Sequence, residues 1–292
     1  MKLVSIFLLL GSPLFATPAG VLNSFEGAVR VNGVRVSLMD AGRTTLQPGQ
    51  TIRTDQGMAE LLLTPGSFLR LGEGSDLTLE QMDPSGVRAS LGRGEALLEV
   101  LSLKTPISLE EDGATVTIRK PGLYGFNLKR GLVNVYTGEV QIERDGRQVV
   151  ADKGFSARAR NLRESPLQID PGDSLYGWSN NRDRLLSTES AAAAGSSAGT
   201  AAGPAWAWNP WSSSYTFLSA SGAVTGPFGW PYYSPGYAPN AIPEHRGGDS
   251  WLYGPPVLAV PGPVQMPSPG PHGPATVPLT APGVPQFPGS RF

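Results

Sequence analysis

The sequence predicts an all-β domain of short strands, then one short helix, then a tail rich in proline, glycine and aromatic residues. Two observations carry the prediction. Apolar residues alternate with polar ones (Leu61/Leu63, Leu69/Leu71, Leu77/Leu79), which is the period of a strand with one buried face. Pro48-Gly49, Gly57 and Pro65-Gly66 fall between those runs, where a reversing chain needs a fixed or a positive φ.

The 292-residue chain opens with Met1-Lys2 and an apolar run from Leu3 to Phe15. A basic start, a short apolar core and small residues at Ala16 and Ala19 predict a secretory signal peptide over residues 1–19. Gly11, Ser12 and Pro13 interrupt the run, which falls short of the roughly 20 apolar residues a bilayer requires. No membrane span is expected after signal cleavage, and the expected location is periplasmic or secreted.

Residues 20–169 are predicted to form one β domain, because roughly 150 residues can bury a single substantial core. Val29-Arg30-Val31, Asn32-Gly33 and Val34-Arg35-Val36 read as a two-residue hairpin, since Asn-Gly readily takes two positive φ angles. Val140 to Arg144, Asp145-Gly146 and Arg147 to Val150 repeat the device. Glycine precedes an alternating run at Gly27, Gly94 and Gly138, at unequal intervals. That pattern keeps both a sandwich and a β-roll or solenoid-like stacking open. Residues 170–189 predict a short helix capped by Asp173 or Ser174, with Leu175, Trp178, Arg182 and Leu185 on one face and Trp178 laid against the β domain.

Residues 190–204 read as an Ala/Ser/Gly linker. The segment 205–254 then concentrates twelve aromatics among prolines and glycines, and residues 255–292 are so proline-rich that a largely disordered tail is expected. Trp206, Trp208, Trp211, Trp230, Tyr232, Tyr233 and Tyr237 are the candidate interaction residues, because Trp and Tyr dominate contact hot spots. Three readings stay open for this segment: folding back onto the β domain, contact with a protein partner, or stacking on sugar rings.

The spacing Gly49, Ile52, Thr54, Gly57, Ala59, Leu61, Leu63, Gly66, Leu69-Arg70-Leu71, Ser75 and Leu77 resembles the FecR domain, an all-β periplasmic module of bacterial signalling proteins. Gly92, Gly94, Thr105-Pro106, Gly122-Leu123-Tyr124-Gly125-Phe126 and the run from Val133 to Val140 extend the resemblance over residues 24–157. In FecR regulators this kind of domain stands behind a membrane helix and a cytoplasmic sigma-factor-regulating segment. This sequence shows neither, so it is similar to the stand-alone exported members. The resemblance implies a non-catalytic binding or signal-sensing module whose partner is another envelope protein or an extracellular ligand.

Composition narrows the chemistry. With 23 basic and 24 acidic side chains the chain lacks the concentrated basic surface that a nucleic acid partner needs. It has no cysteine, which removes disulfides, thiolate metal sites and a lipid-modified cysteine anchor. Its two histidines, His245 and His272, both fall in the tail, so neither triad chemistry nor a His-ligated metal is expected, and no cofactor. Glu95 with Glu99 reads as two ends of one strand, and Glu110-Glu111-Asp112-Gly113 as a solvated turn without the spacing of a calcium loop. Arg70, Arg88, Arg93, Arg119 and Lys120 read as ordinary surface residues.

Overall fold

The structure is a computed structural model that describes residues 19–196 and 203–237. The signal-peptide call on residues 1–18, the middle of the linker, both histidines and the tail from residue 238 lie outside the described residues.

Fifteen strands form one sheet. They are β1 (Val21–Val31), β2 (Val34–Arg35), β3 (Thr51–Leu62), β4 (Ser67–Leu71), β5 (Asp76–Asp83), β6 (Gly86–Arg93), β7 (Glu95–Val100) and β8 (Ile107–Glu111). After them come β9 (Ala114–Ile118), β10 (Gly122–Asn127), β11 (Leu132–Thr137), β12 (Glu139–Arg144), β13 (Arg147–Asp152), β14 (Phe155–Arg158) and β15 (Arg163–Pro166). Helix α1 (Ser174–Ser196) follows, and then two hairpins, β16 (Ala205–Asn209) with β17 (Ser214–Leu218), and β18 (Ala223–Thr225) with β19 (Pro231–Tyr233).

A ribbon of β1 and β3 organises the sheet. One edge of β3 pairs with β1 along most of its length, while the other is divided: Thr51–Arg53 pairs with β5 and Ala59–Leu62 with β4. Two wings therefore leave the same strand. One runs β5-β6-β8-β9-β12-β13 and the other β4-β7-β10-β11-β14-β15. The chain visits them alternately, one or two strands at a time, so the architecture is a roll built from one continuous sheet. The wings meet again at the β13–β14 turn, where the Lys153 and Gly154 amides donate to Gly138 O and Val135 O at 3.1 and 2.8 Å.

The ribbon kinks where Gly27 faces Gly57. A Cβ on Gly27 would stand 1.9 Å from Gln56 O, and one on Gly57 2.1 Å from Glu26 O, so no side chain fits at this crossing. Between the wings lies one apolar core, to which Leu69, Leu98, Phe126 and Val133 contribute from one side and Leu77, Leu91, Leu109, Val116 and Ile142 from the other. The Asn-Gly and Asp-Gly hairpins have the expected backbone: φ is 48° and 81° at Asn32 and Gly33, and 50° and 72° at Asp145 and Gly146. Asp112-Gly113, read from sequence as a solvated turn, is a third such hairpin, with φ of 48° and 73°.

The helix runs on past the predicted residue 189 to Ser196, taking in the start of the stretch read as linker. Ala191 to Ala194 are the best helix formers available, and Ala194 is buried, so the helix extends until its packing ends. Asp173 caps it by accepting the Tyr176 amide at 2.9 Å.

Candidate functional site

Three neighbouring strands, β3 and the first two of the second wing, place charged residues on the face away from the core. Glu60 on β3 stands opposite Arg70 on β4, and Glu99 lies one strand further on β7. The alternation predicts water over these side chains, yet all three are 0% exposed. Helix α1 and the two hairpins cover them.

Arg70 Nε donates to Glu60 Oε2 at 2.9 Å and its Nη1 to Glu99 Oε2 at 2.8 Å. From the helix, Arg182 Nη2 donates to Glu60 Oε1 at 2.8 Å, while Asp183 Oδ1 lies 3.7 Å from Arg70 Nη2 and accepts the Tyr232 hydroxyl of β19. Asn23 of β1 joins the cluster to the first hairpin: its amide nitrogen donates to Glu60 Oε1 and Tyr215 O, both at 2.9 Å, and its oxygen accepts the Tyr215 amide. Burial works to raise the Glu60 carboxyl, but the Arg182 and Arg70 guanidiniums overcome it and hold it at about 2. Burial, reinforced by the Asp183 charge, pushes Glu99 well above the usual carboxylate range against the pull of Arg70. Asp183 is also raised, again by burial first.

Apolar contacts frame these charges. Phe68 packs edge-on against Trp206 at 5.1 Å between ring centres and against Tyr232 at 6.2 Å, while Phe217 meets both Trp206 and Tyr232. Leu97, Leu123 and Leu175 make a second small cluster with Tyr136, Tyr176, Trp178 and Phe228 around it.

The seven predicted aromatics therefore separate by position. Tyr232 is fully buried and Trp206 half-buried; both belong to the cover over the sheet, so neither is a display residue, because Phe68 and Leu62 need apolar neighbours. Trp230 donates its indole N–H to Asn180 of α1 at 2.9 Å. Tyr233 stacks on Tyr237, which is 44% exposed. Trp208 and Trp211, on the first hairpin, are 38% and 82% exposed, and Trp208 lies against Tyr215 and Gly42. Gly42 ends a turn whose Leu38 and Met39 are 71% and 83% exposed. Four large apolar side chains thus come to the surface around one meeting of turn and hairpin.

A separate polar cleft of about 340 Å³ opens between the end of the second wing and the start of α1. Glu95, Asn127, Arg130, Asn134, Tyr136 and Gln168 line it with others. Glu95, raised by its partial burial and by the Asp173 charge, accepts from Asn127 Nδ2 at 3.2 Å.

Sequence reasoning missed the charged cluster, reading Arg70 as a surface residue and Glu99 as the far end of the strand that begins at Glu95. The signal that could have found it is the pairing of Glu60 and Arg70 across the predicted Pro65-Gly66 turn. It missed the hairpins as well, although Ala205-Trp206-Ala207-Trp208 and Ser214-Tyr215-Thr216-Phe217 alternate on either side of Asn209-Pro210. Among the described residues, no group of three or more acids or histidines is arranged to hold a metal ion, and no helix is long and apolar enough to cross a membrane.

No family model and no curated relative matches the sequence. Among solved structures, the chain is similar to two crystal structures of a "putative anti-sigma factor" from Parabacteroides distasonis. Both superpose with a TM-score of 0.36, at 16% and 15% identity, over 44% of this chain. The chain spans 64% of the length of those neighbours.

Proposed function

We propose that this chain is an exported, non-catalytic binding or signal-sensing module of the FecR type, whose contact surface is the β16–β17 hairpin tip together with the Leu38–Met39 turn. The observation that carries the reading is the exposure of Trp208, Trp211, Leu38 and Met39 around one meeting of turn and hairpin; Val34, Val150, Phe155, Ile169 and Tyr237 are the other large apolar residues exposed among the described residues. Exposed aromatics beside methionine have the composition of a protein-binding hot spot. The partner is another envelope protein or an extracellular ligand. A non-catalytic role is supported by the sealing of Glu60, Glu99 and Asp183 beneath the helix, where no substrate reaches them.

A second reading, a glycan-binding or structural envelope protein, is favoured by the cleft lined with Asn127, Asn134, Gln168 and Tyr136. Side-chain amides beside an aromatic ring suit sugar hydroxyls and sugar faces. Retention of full-length protein on envelope extract, and separately on insoluble peptidoglycan and polysaccharide, distinguishes the two. Retention of an envelope protein that is lost in Trp208→Ala/Trp211→Ala supports the first. Retention on polysaccharide that survives those changes and is lost in Asn134→Ala supports the second and sinks the first.

A further inference from the structure

Helix α1 holds the sheet through an unusual face. Of its buried residues Leu175, Ser179, Asp183, Leu186, Ser187, Glu189, Ser190 and Ala194, five are polar. Ser190 Oγ donates to Phe217 O and accepts the Tyr233 amide, and Ser187 Oγ donates to Pro231 O, so helix and hairpins are tied into one cap. The apolar clusters around Phe68 and Leu97 hold the cap without direction, but the polar groups between them depend on each hydrogen bond being made.

The charges under this cap do not balance when all are ionised. Arg70 and Arg182 carry two positive charges against three carboxyls, Glu60, Glu99 and Asp183. Both Glu60 oxygens meet donors, but Glu99 Oε1 and Asp183 Oδ2 are buried with no donor at all. Both oxygens border one spot: a Cβ on Gly226 would lie 3.1 Å from the first and 3.4 Å from the second. Two buried carboxylate oxygens that border one spot without a donor repel, unless a proton lies between them.

We propose that the Glu99 and Asp183 carboxyls share one proton, and that this proton latches the cap of α1 and the two hairpins onto the sheet. With it, Glu99 Oε1 donates to Asp183 Oδ2 and the cluster is neutral. Its loss to solvent base leaves three carboxylates facing two guanidiniums in a space closed to bulk solvent. The groups that face the pair are Arg70 and Glu60 from the sheet, Arg182 from the helix and Tyr232 from the second hairpin. Glu189, buried further along α1, takes the Ser214 hydroxyl at 3.3 Å. Because both members of the pair bind their proton more tightly folded than unfolded, the latch is complete at acidic pH and weakens as pH rises beyond the ordinary carboxylate range. The β domain keeps its own apolar core between the wings and stays folded when the cap loosens. This inference does not depend on the binding reading above.

Hydrogen exchange of the full chain between pH 5 and pH 9, corrected for intrinsic exchange, tests the latch. Protection across residues 174–196 should fall by about tenfold per pH unit above the ordinary carboxylate range, where the open cap has released the proton that the closed cap still holds. Measured in a Glu111→Gln background, which removes the separate pH slope of β8, protection across residues 107–118 should fall less. Glu99→Gln, whose amide donates to Asp183 permanently and still accepts from Arg70, should abolish the fall; if that variant does not fold, Asp183→Asn serves in its place. Uniform protection of α1 from pH 5 to pH 9 overturns the proposal. So does a fall that persists in Glu99→Gln, or one removed by Glu189→Gln instead.

Discussion

In β8 and β9 alternate residues are buried and those between them are half-exposed, whereas in β4 and β10 all but one residue are buried. Both wings are written in similar alternating sequence. The difference lies in what covers the outer face: solvent over β8 and β9, and α1 with two hairpins over β4, β7 and β10. The polar member of an alternating pair therefore marks the face away from the core and does not show that this face meets water.

The largest expected effect breaks that contrast directly. Arg70→Met removes the only guanidinium that pairs both Glu60 and Glu99, leaving buried carboxylates short of a partner, and should cost about 3–5 kcal/mol. Arg119→Met, which loses an exposed bond to Gln141, should cost less than about 0.5 kcal/mol. Denaturant midpoints measure both. A mild Arg70→Met would mean that water reaches the cluster and that the wings do not differ.

Each wing also buries an acid, Glu99 in one and Glu111, read from sequence as part of a solvated turn, in the other, but Glu99 has an arginine beside it. Glu111 on β8 is 2% exposed and neither carboxylate oxygen has a partner. Burial, with the Asp112 charge adding to it, pushes its carboxyl up to about 8 from an ordinary 4.5. The folded state thus holds a proton that the unfolded state releases, so the stability it contributes is intact below pH 4.5 and lost as pH rises through 8. Between pH 5 and pH 8 the loss should be about 3 kcal/mol. Glu111→Gln should remove that slope; an unchanged slope would show that Glu111 is hydrated in solution.

Turn chemistry was the most legible part of the molecule, because a residue pair such as Asn32-Gly33 encodes its conformation locally. Gly33→Val and Gly146→Val should each cost about 1–3 kcal/mol, since both glycines hold a positive φ that a β-branched residue adopts poorly, although nothing within 4 Å crowds either site. Denaturant midpoints unchanged in both variants would show that these hairpins relax to another turn. What stayed illegible depended on the third dimension. The helix turns Ser179, Asp183, Leu186 and Ser190 inward beside the predicted Leu175 and Arg182, and leaves Trp178 and Leu185 half-buried, because its receptor is charged and an apolar stripe is the wrong face to seek. Trp178 still reaches the β domain from the flank, donating to Glu26 at 2.7 Å. Of the seven aromatics, no local feature separates Trp206, laid on Phe68, from Trp211, five residues on at the hairpin tip.

That last pair gives the smallest effect and the sharpest use of the comparison. Trp211 is 82% exposed and follows the turn set by Asn209, whose side-chain oxygen accepts the Trp211 amide at 3.0 Å. The backbone bond survives truncation of the ring, so Trp211→Ala should shift stability by less than about 0.5 kcal/mol. If the indole is carried for contact rather than for packing, the same change should weaken retention by the envelope partner at least tenfold, the loss typical of an aromatic hot spot. A destabilised Trp211→Ala would place the ring in the cover, like Trp206, and leave the hairpin tip without a binding role. A stable variant that is retained as well as the native chain would confine the contact surface to Trp208 and the Leu38–Met39 turn.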